Sequence, residues 1–542
     1  VAAVIPEEFR DRVWDPERVR GRARVEADAV VVGTGAGGAA AARELAEGGL
    51  SVALLEEGDY RTARDYGSVS ALEAIRMLYR KGGFTFTTGN ASVLLPSGCC
   101  VGGTTVINSG TALRALPEAV ERWREEFGLW ELSRGLEGYY ARVEEGLGVA
   151  PVPEPLLGKN GEIFRRGAER ARRRAAVLHR AARGCRGAGR CFLGCPNDAK
   201  QATHLSYVPR ALARGARLFV RARAERVVVE GRRAAGVQAV LRPREGPPFE
   251  VEFRAPAVVL AAGAIYTPLL LAPVRGRRGR GLGAHLRIHP ASRVVGLFDE
   301  EVRGWEGVPQ GYHLEESLME GFSTEGIFVP PSLMSPSLPE VGAALEEVMD
   351  RYNHLGMLGY RVLEEGEGRV LARPWGRPAA WPLVWYWLRR SDAARLARAA
   401  AVAAEILRAA GARKVFTAIR GFEVLTSEAE IRLLREARPS GGDMELSAYH
   451  AQGTARMADS PDRGVVDPWG QVWGLRGLYV ADASLLPFTP GTNPQVSIMA
   501  FATHVAAGIL ARLGRAPVLP VTAAAVGGSG GSDSQDSGVR RA

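Results

Sequence analysis

ADAVVVGTGAGGAAAARELAEGGLSVALLEEG, residues 27–58, is the stretch that decides the fold. It reads as a short apolar strand, a glycine-rich turn, an alanine-rich helix and a second apolar strand, which together make a βαβ unit. Gly33, Gly35 and Gly38 give GxGxxG between strand and helix, and Glu56 closes the second strand. The first glycine permits the tight turn, the second lets a pyrophosphate approach the backbone, and the third lets helix and strand pack closely. A helix N-terminus favours the phosphate charge. Glu56 would accept hydrogen bonds from ribose hydroxyls, which favours a nucleotide without a 2′-phosphate. A glycine-rich turn alone also arises for steric reasons. Strand, helix and terminal acid together point to a dinucleotide, without separating FAD from NAD.

The chain has 542 residues, more than one core usually serves, so two intimately joined domains are expected. A composition of 46% hydrophobic and 24% charged residues is that of a globular protein. The net charge of +10 comes largely from arginine spread along the chain, with no basic strip interleaved with aromatics, so no nucleic-acid partner is expected. The basic surface leaves a peripheral membrane contact open. No run of about 18 apolar residues appears, so no transmembrane segment is expected. Residues 1–20 lack a signal-peptide pattern, which makes a cytoplasmic location the default. Five cysteines are an odd number, against a complete disulfide framework. Three of them, Cys185, Cys191 and Cys195, form C-x5-C-x3-C followed by Pro196, a spacing that suits an iron–sulfur centre or a metal as well as a loop of reduced thiols.

Further along, a β-rich region surrounds Gly236, residues 256–262 and 478–481 read as buried strands, and 496–510 as a largely apolar helix. Residues 297–446 shift towards Pro, Trp and long side chains, with Trp381, Trp385, Tyr386 and Trp387 close together. Within that unit a strong helix runs from Ser391, a plausible N-cap, to Gly411. GGSGGSDSQDSG, residues 527–538, has too little apolar content to fold.

Three segments, taken with the fingerprint, resemble the glucose-methanol-choline (GMC) family of flavoprotein oxidoreductases. GCCVGGTTVINSG, residues 98–110, is similar to the family's loop beside the FAD pyrophosphate, with Gly102, Gly103 and Asn108 matching and Cys99 in place of a basic residue. VVLAAGAIYTPLLL, from Val258, is similar to the family's strand and turn, and Ala224 resembles the position that meets the adenine. YHAQGTARM, GVVDPWGQVWGLRGLYVADASLLP and GTNPQVSIMAFATHVAAGIL, between residues 449 and 510, match the order of the family's C-terminal third. The resemblance implies an α/β fold. It would join a Rossmann-like FAD-binding domain of the GMC and p-hydroxybenzoate-hydroxylase type to a discontinuous α+β substrate-binding domain. The expected division is an extension at 1–26, an FAD-binding domain from 27–115, 202–296 and 447–515, a cap with the cysteines at 116–201, a substrate domain at 297–446 and a tail at 516–542.

The same resemblance gives His450 the place of the catalytic base and Asn493 that of a partner. Asp482 and the Asn493–Pro494 step would lie against the cofactor. Ile107 stands where some members carry a flavin-linked His, which implies noncovalent FAD. Loss of a hydride from an alcohol carbon is easier when a base takes the hydroxyl proton. An imidazole suits that task near neutrality, an Asn amide can steady the developing alkoxide, and the isoalloxazine takes the hydride. His289 and His504 read as structural histidines. GVPQG, residues 307–311, and the helix ending in AAGA resemble bacterial long-chain alcohol oxidases of the family, so a long-chain alcohol is the expected substrate, with oxygen or another electron acceptor. Two alternatives stay open: a sugar, polyol or sterol dehydrogenase passing electrons through an iron–sulfur cluster at Cys185, Cys191 and Cys195, and a flavin-dependent lyase or photoenzyme.

Overall fold

A computed structural model describes residues 7–275, 281–315, 318, 320–371 and 382–519. Trp381 and residues 520–542 of the expected tail lie outside the described residues.

Six parallel strands make the central sheet: β1 (Val13–Trp14), β2 (Ala29–Val32), β3 (Val52–Leu55), β4 (Arg217–Phe219), β5 (Ala257–Leu260) and β6 (Leu478–Val480). They lie in the order β1-β4-β3-β2-β5-β6. Strands β2, β3, β5 and β6 are buried at every position. A parallel sheet covered on both faces demands this, and it is why these segments read as unbroken apolar runs. Val30 pairs with Ala53 on one side and with Val258 on the other.

Helix Ala36–Glu47 follows β2 and buries ten of its twelve residues. Its Ala and Gly side let the C-terminal helix Gln495–Arg512 approach closely: a Cβ on Gly48 would lie 2.3 Å from a Leu510 methyl. Gln495–Arg512 is long and apolar enough to cross a membrane, but 83% of it is buried inside the fold. Helix Trp130–Leu147 packs on its other side. A second sheet, Ala222–Glu230, Arg233–Leu241 and Phe249–Arg254 with Arg24–Glu26 at its edge, leaves the end of β4.

A nine-stranded sheet forms the other layer. Its main path runs through Val424–Leu425, Lys414–Thr417, Ala291–Leu297, Leu355–Val362, Phe322–Gly326, Tyr312–Leu314 and Ala175–Val177, antiparallel throughout. Helix Arg390–Ala409 packs across its middle strands and buries thirteen side chains. This helix starts one residue before Ser391, with Arg389 as N-cap, and Gly411 lies just past its end at φ +111°. Ser391 instead donates its hydroxyl to Glu365. Residues 116–201 serve both layers: Trp130–Leu147 joins the core around the parallel sheet, while Gly158–Arg170 and Ala175–Val177 belong to the other.

Candidate active site

Gly33 and Gly38 perform the steric tasks their spacing suggests. Gly33 has φ +101°, and a Cβ there would meet the Ala261 carbonyl oxygen at 2.3 Å. A Cβ on Gly38 would lie 2.0 Å from the Gly33 carbonyl oxygen. A Cβ on Gly35 would meet nothing within 4 Å, so this glycine faces open space at the start of the helix, whose first N–H groups have no side-chain cap. Gly102 and Gly103, both at positive φ, come up to the same turn: a Cβ on Gly103 would lie 3.1 Å from the Gly35 Cα. The Gly102 N–H donates to Thr34 Oγ1 at 2.9 Å. The two glycine turns therefore pack together, bridged by the Thr34 hydroxyl, and leave open space over Gly35 at the helix N-terminus, a place suited to a pyrophosphate.

Glu56 sits at the end of β3, accepting from Thr34 N and Oγ1 and from Gly58 N. Burial pushes its carboxyl above the usual carboxylate range. Ala222 N donates to the Glu56 carbonyl, which brings the strand carrying Ala224 to the same end. Asp482, beyond β6, accepts from Gly263 N, Thr267 Oγ1 and both the N–H and hydroxyl of Ser484. Asn108 donates to Gln495 Oε1 at 2.5 Å and accepts from Gly110 N. Cys99, in the place of the basic residue, has its thiol pushed up to about 12 by burial, with the Arg80 guanidinium pulling the other way.

His450 lies at the junction of the two layers. Its Nδ1 is 3.0 Å from Nδ1 of His289, with the rings perpendicular. His289 is thus hydrogen-bonded, as its structural reading has it, and its partner is His450. The pairing follows from register: Ala291 pairs with Ser447 and Arg287 with Gln452, so positions 289 and 450 stand opposite each other. His289 Nε2 in turn bonds Thr489 Oγ1. His289 has φ +53°, an uncommon backbone state for a non-glycine residue. Glu364 holds it there by accepting from the N–H groups of Ile288 and His289. Burial raises the Glu364 carboxyl to about 7.

Both imidazoles are held neutral. Burial is the largest cause for each, followed for His450 by the Arg361 guanidinium, and for His289 by His450 and then Arg361. Arg361 is itself buried and ion-paired with Glu325 at 2.9 Å. The two lie diagonally across neighbouring strands, since Arg361 pairs with Ser323 and Glu325 with Gly359. Arg361 Nη2 also donates to Asn493 Oδ1 at 3.3 Å. A guanidinium can only donate, so the Asn493 oxygen faces it and the NH2 points elsewhere. Gln452, two residues after His450, is almost wholly buried and neither of its amide atoms has a hydrogen-bond partner. A buried amide in that state fits a site built for a polar group of a cofactor or substrate.

Arg361 thus acts on both residues, on His450 through its field and on Asn493 through a hydrogen bond. His289, Thr489, Arg361, Glu325 and Glu364 escape sequence reasoning. Their one local signal is the basic and acidic residues inside otherwise apolar strands.

Cys185, Cys191 and Cys195 line one small cavity together with Arg190 and Gly307. Among the described residues, however, no group of three or more His, Cys, Asp or Glu side chains is arranged to hold a metal ion. The loop turns at Gly187, Gly189 and Gly194, all at positive φ. Arg180 donates to Cys191 Sγ at 3.0 Å. The iron–sulfur expectation is therefore not carried by this geometry.

Known proteins share this architecture. The family model "GMC oxidoreductase" matches residues 75–291 and 365–502, and an FAD-binding-domain model matches residues 28–81. An uncharacterized GMC-type oxidoreductase of Mycobacterium tuberculosis is 40% identical over 500 residues, covering 90% of this chain and 76% of its own. A long-chain-alcohol oxidase of Arabidopsis thaliana is 30% identical, covering 90% of this chain and 68% of its own. The crystal structure of a formate oxidase superposes with a TM-score of 0.68 at 16% identity, covering 91% of this chain and 99% of that one. The chain therefore belongs to the GMC oxidoreductase family and is an FAD-dependent oxidoreductase.

Proposed function

We propose that the protein oxidises the CH–OH group of an apolar, long-chain alcohol to the carbonyl, with oxygen as electron acceptor. The observation that carries this reading is the neutral, half-buried His450 held by His289 next to an Asn493 amide oriented by Arg361. His450 takes the hydroxyl proton of the substrate as the base. Asn493 donates from its free NH2 to the oxygen on which negative charge develops, and Arg361 adds its field to the same end. The low-dielectric surroundings strengthen both contributions.

Gly33, Gly35, Gly38, Gly102, Gly103 and Glu56 would hold the ADP part of the cofactor, and Asn108, Asp482 and the Asn493–Pro494 step its flavin end. Ile107, buried in that loop, offers no nucleophile, so FAD is bound noncovalently. Bound there, FAD supplies the acceptor for the hydrogen and electron pair that leave the alcohol carbon. The apolar substrate is supported by the name of the Arabidopsis relative and by the Trp, Phe, Leu and Met content of residues 297–446.

Mixing the holoenzyme anaerobically with a long-chain primary alcohol tests the proposal. Bleaching of the flavin absorbance in the native protein, and its loss in His450→Ala with FAD still bound, is the expected result. Bleaching by sugars but not by long-chain alcohols would overturn the substrate, and undiminished bleaching in His450→Ala would overturn the base.

A further inference from the structure

We propose that one face of the three-stranded sheet beside the imidazole pair is a docking surface for an anionic lipid bilayer. Its strands are Thr88–Gly89, Gly368–Leu371 and Leu383–Tyr386. Gly368 is tied by two backbone hydrogen bonds to Leu286, three residues before His289.

From residue 383 to 388 burial alternates: Val384, Tyr386 and Leu388 point into the core, while Leu383, Trp385 and Trp387 point out. Residues paired across strands share a face. Leu383 pairs with Leu371, and Trp385 pairs with Arg369 on one side and Thr88 on the other. Phe84 and Phe86 lead up to Thr88 in the same alternation. Phe84, Phe86, Leu371, Leu383, Trp385 and Trp387 therefore make one apolar surface, each between 36% and 70% exposed. Two of its contacts are stacked rings, Phe84 on Phe86 and Trp385 on Trp387, with centroids 6.4 and 6.0 Å apart.

An exposed aromatic cluster of this size marks a contact with something apolar. Its rim decides what. Arg369, Arg389 and Arg390 are all exposed, and among the described residues Glu365 is the one acid paired with them, 3.8 Å from Arg389. Indole rings beside arginines suit the boundary between headgroups and acyl chains, where the ring is half immersed and the cation meets anionic lipid. A second copy of the chain, docked face to face, would set these arginines against their own images in a protein already carrying a net charge of +10. The surface stands whatever alcohol is the substrate.

The test sediments the full-length holoenzyme with vesicles of phosphatidylcholine, alone and mixed with phosphatidylglycerol. The expected result is partition into the mixed-vesicle pellet that weakens at high salt, and that falls about tenfold or more in the double variant Trp385→Ser, Trp387→Ser. The pair Arg389→Glu, Arg390→Glu should lose the preference for anionic vesicles while flavin content stays unchanged. No sedimentation of the native protein, or sedimentation of both variants equal to that of the native protein, would overturn the proposal. So would a dimer in vesicle-free solution that dissociates in the tryptophan variant.

Discussion

At the scale of single residues, the line from Thr489 through His289 to His450 ties the tautomers of the two imidazoles together. Each neutral imidazole has one N–H and one lone pair. If His450 accepts the substrate proton at Nε2, its Nδ1–H must donate to His289 Nδ1. His289 must then donate from Nε2 to the Thr489 hydroxyl, whose other lone pair takes the Gly491 N–H at 3.1 Å. Thr489→Val removes that acceptor and turns the line around. A base in the wrong tautomer is a costly error, so kcat should fall by roughly one to two orders of magnitude with KM little changed, and Thr489→Ser should restore it. Steady-state kinetics of the two variants checks this. The pH profile follows from the same pair. Lowering a histidine's pKa keeps its neutral form to lower pH, so kcat/KM should stay level as pH falls through the ordinary histidine value and drop only below it. Removing the guanidinium in Arg361→Leu takes away one of the two depressing causes and should move that acid limb upward. His450 and Asn493 are legible in the sequence because each sits in an ordered run of motif residues. The contact between His289 and His450 is not, because it follows from a strand register with a segment more than 150 residues away.

At the scale of elements, the βαβ unit is legible because its parts are contiguous and each glycine answers a separate steric demand. The structure separates those demands into different experimental consequences. Gly35 has φ −63° and room for a Cβ, so Gly35→Ala should leave the stability of the FAD-free protein within about 0.5 kcal/mol. The added methyl enters the open space over the helix N-terminus where a pyrophosphate would lie, and FAD retention after purification should drop sharply. Gly38→Ala drives a Cβ into the Gly33 carbonyl oxygen, so it should destabilise the protein with or without FAD. Comparing flavin absorbance per protein with urea midpoints of the FAD-free forms distinguishes the two. Equal loss of stability in both variants would mean that Gly35 serves packing alone. The Arg361–Glu325 pair belongs to this scale too. Its members are 36 positions apart and meet because two antiparallel strands share one register, which no local pattern announces. Glu325→Gln would leave the guanidinium buried without its counter-charge, and should cost about 3 kcal/mol or more in urea unfolding.

At the scale of the whole molecule, the parallel sheet closes only when β6, from near the C-terminus, adds beside β5 and the helix after it covers Ala36–Glu47. That closure is legible from the order of the motifs. The nine-stranded sheet is not, because its strands come from residues between 93 and 447, mostly as short runs without strict alternation. One consequence of so large an enclosed volume is acid sensitivity. His204, His289 and His504 are almost fully buried, and burial lowers His204 to about 3 and His504 to about 4, with His289 also well below its ordinary value. In the unfolded chain each titrates near 6.5, so below that pH the unfolded state binds protons that the folded state refuses, and stability falls. Glu364 works the other way: raised to about 7, it is protonated in the fold at pH values where the unfolded chain has lost the proton, and so offsets one histidine. The histidines held neutral, His450 among them, outnumber it, so stability should fall as pH drops from about 6 to 5. His504 isolates the effect, because Pro468 O and the Tyr139 hydroxyl already satisfy both of its nitrogens as a neutral ring. His504→Gln keeps a donor and an acceptor but cannot take up a proton. The slope of the urea midpoint against pH should flatten by about 1.4 kcal/mol per pH unit in that variant, and an unchanged slope would show that His504 is already protonated in the fold.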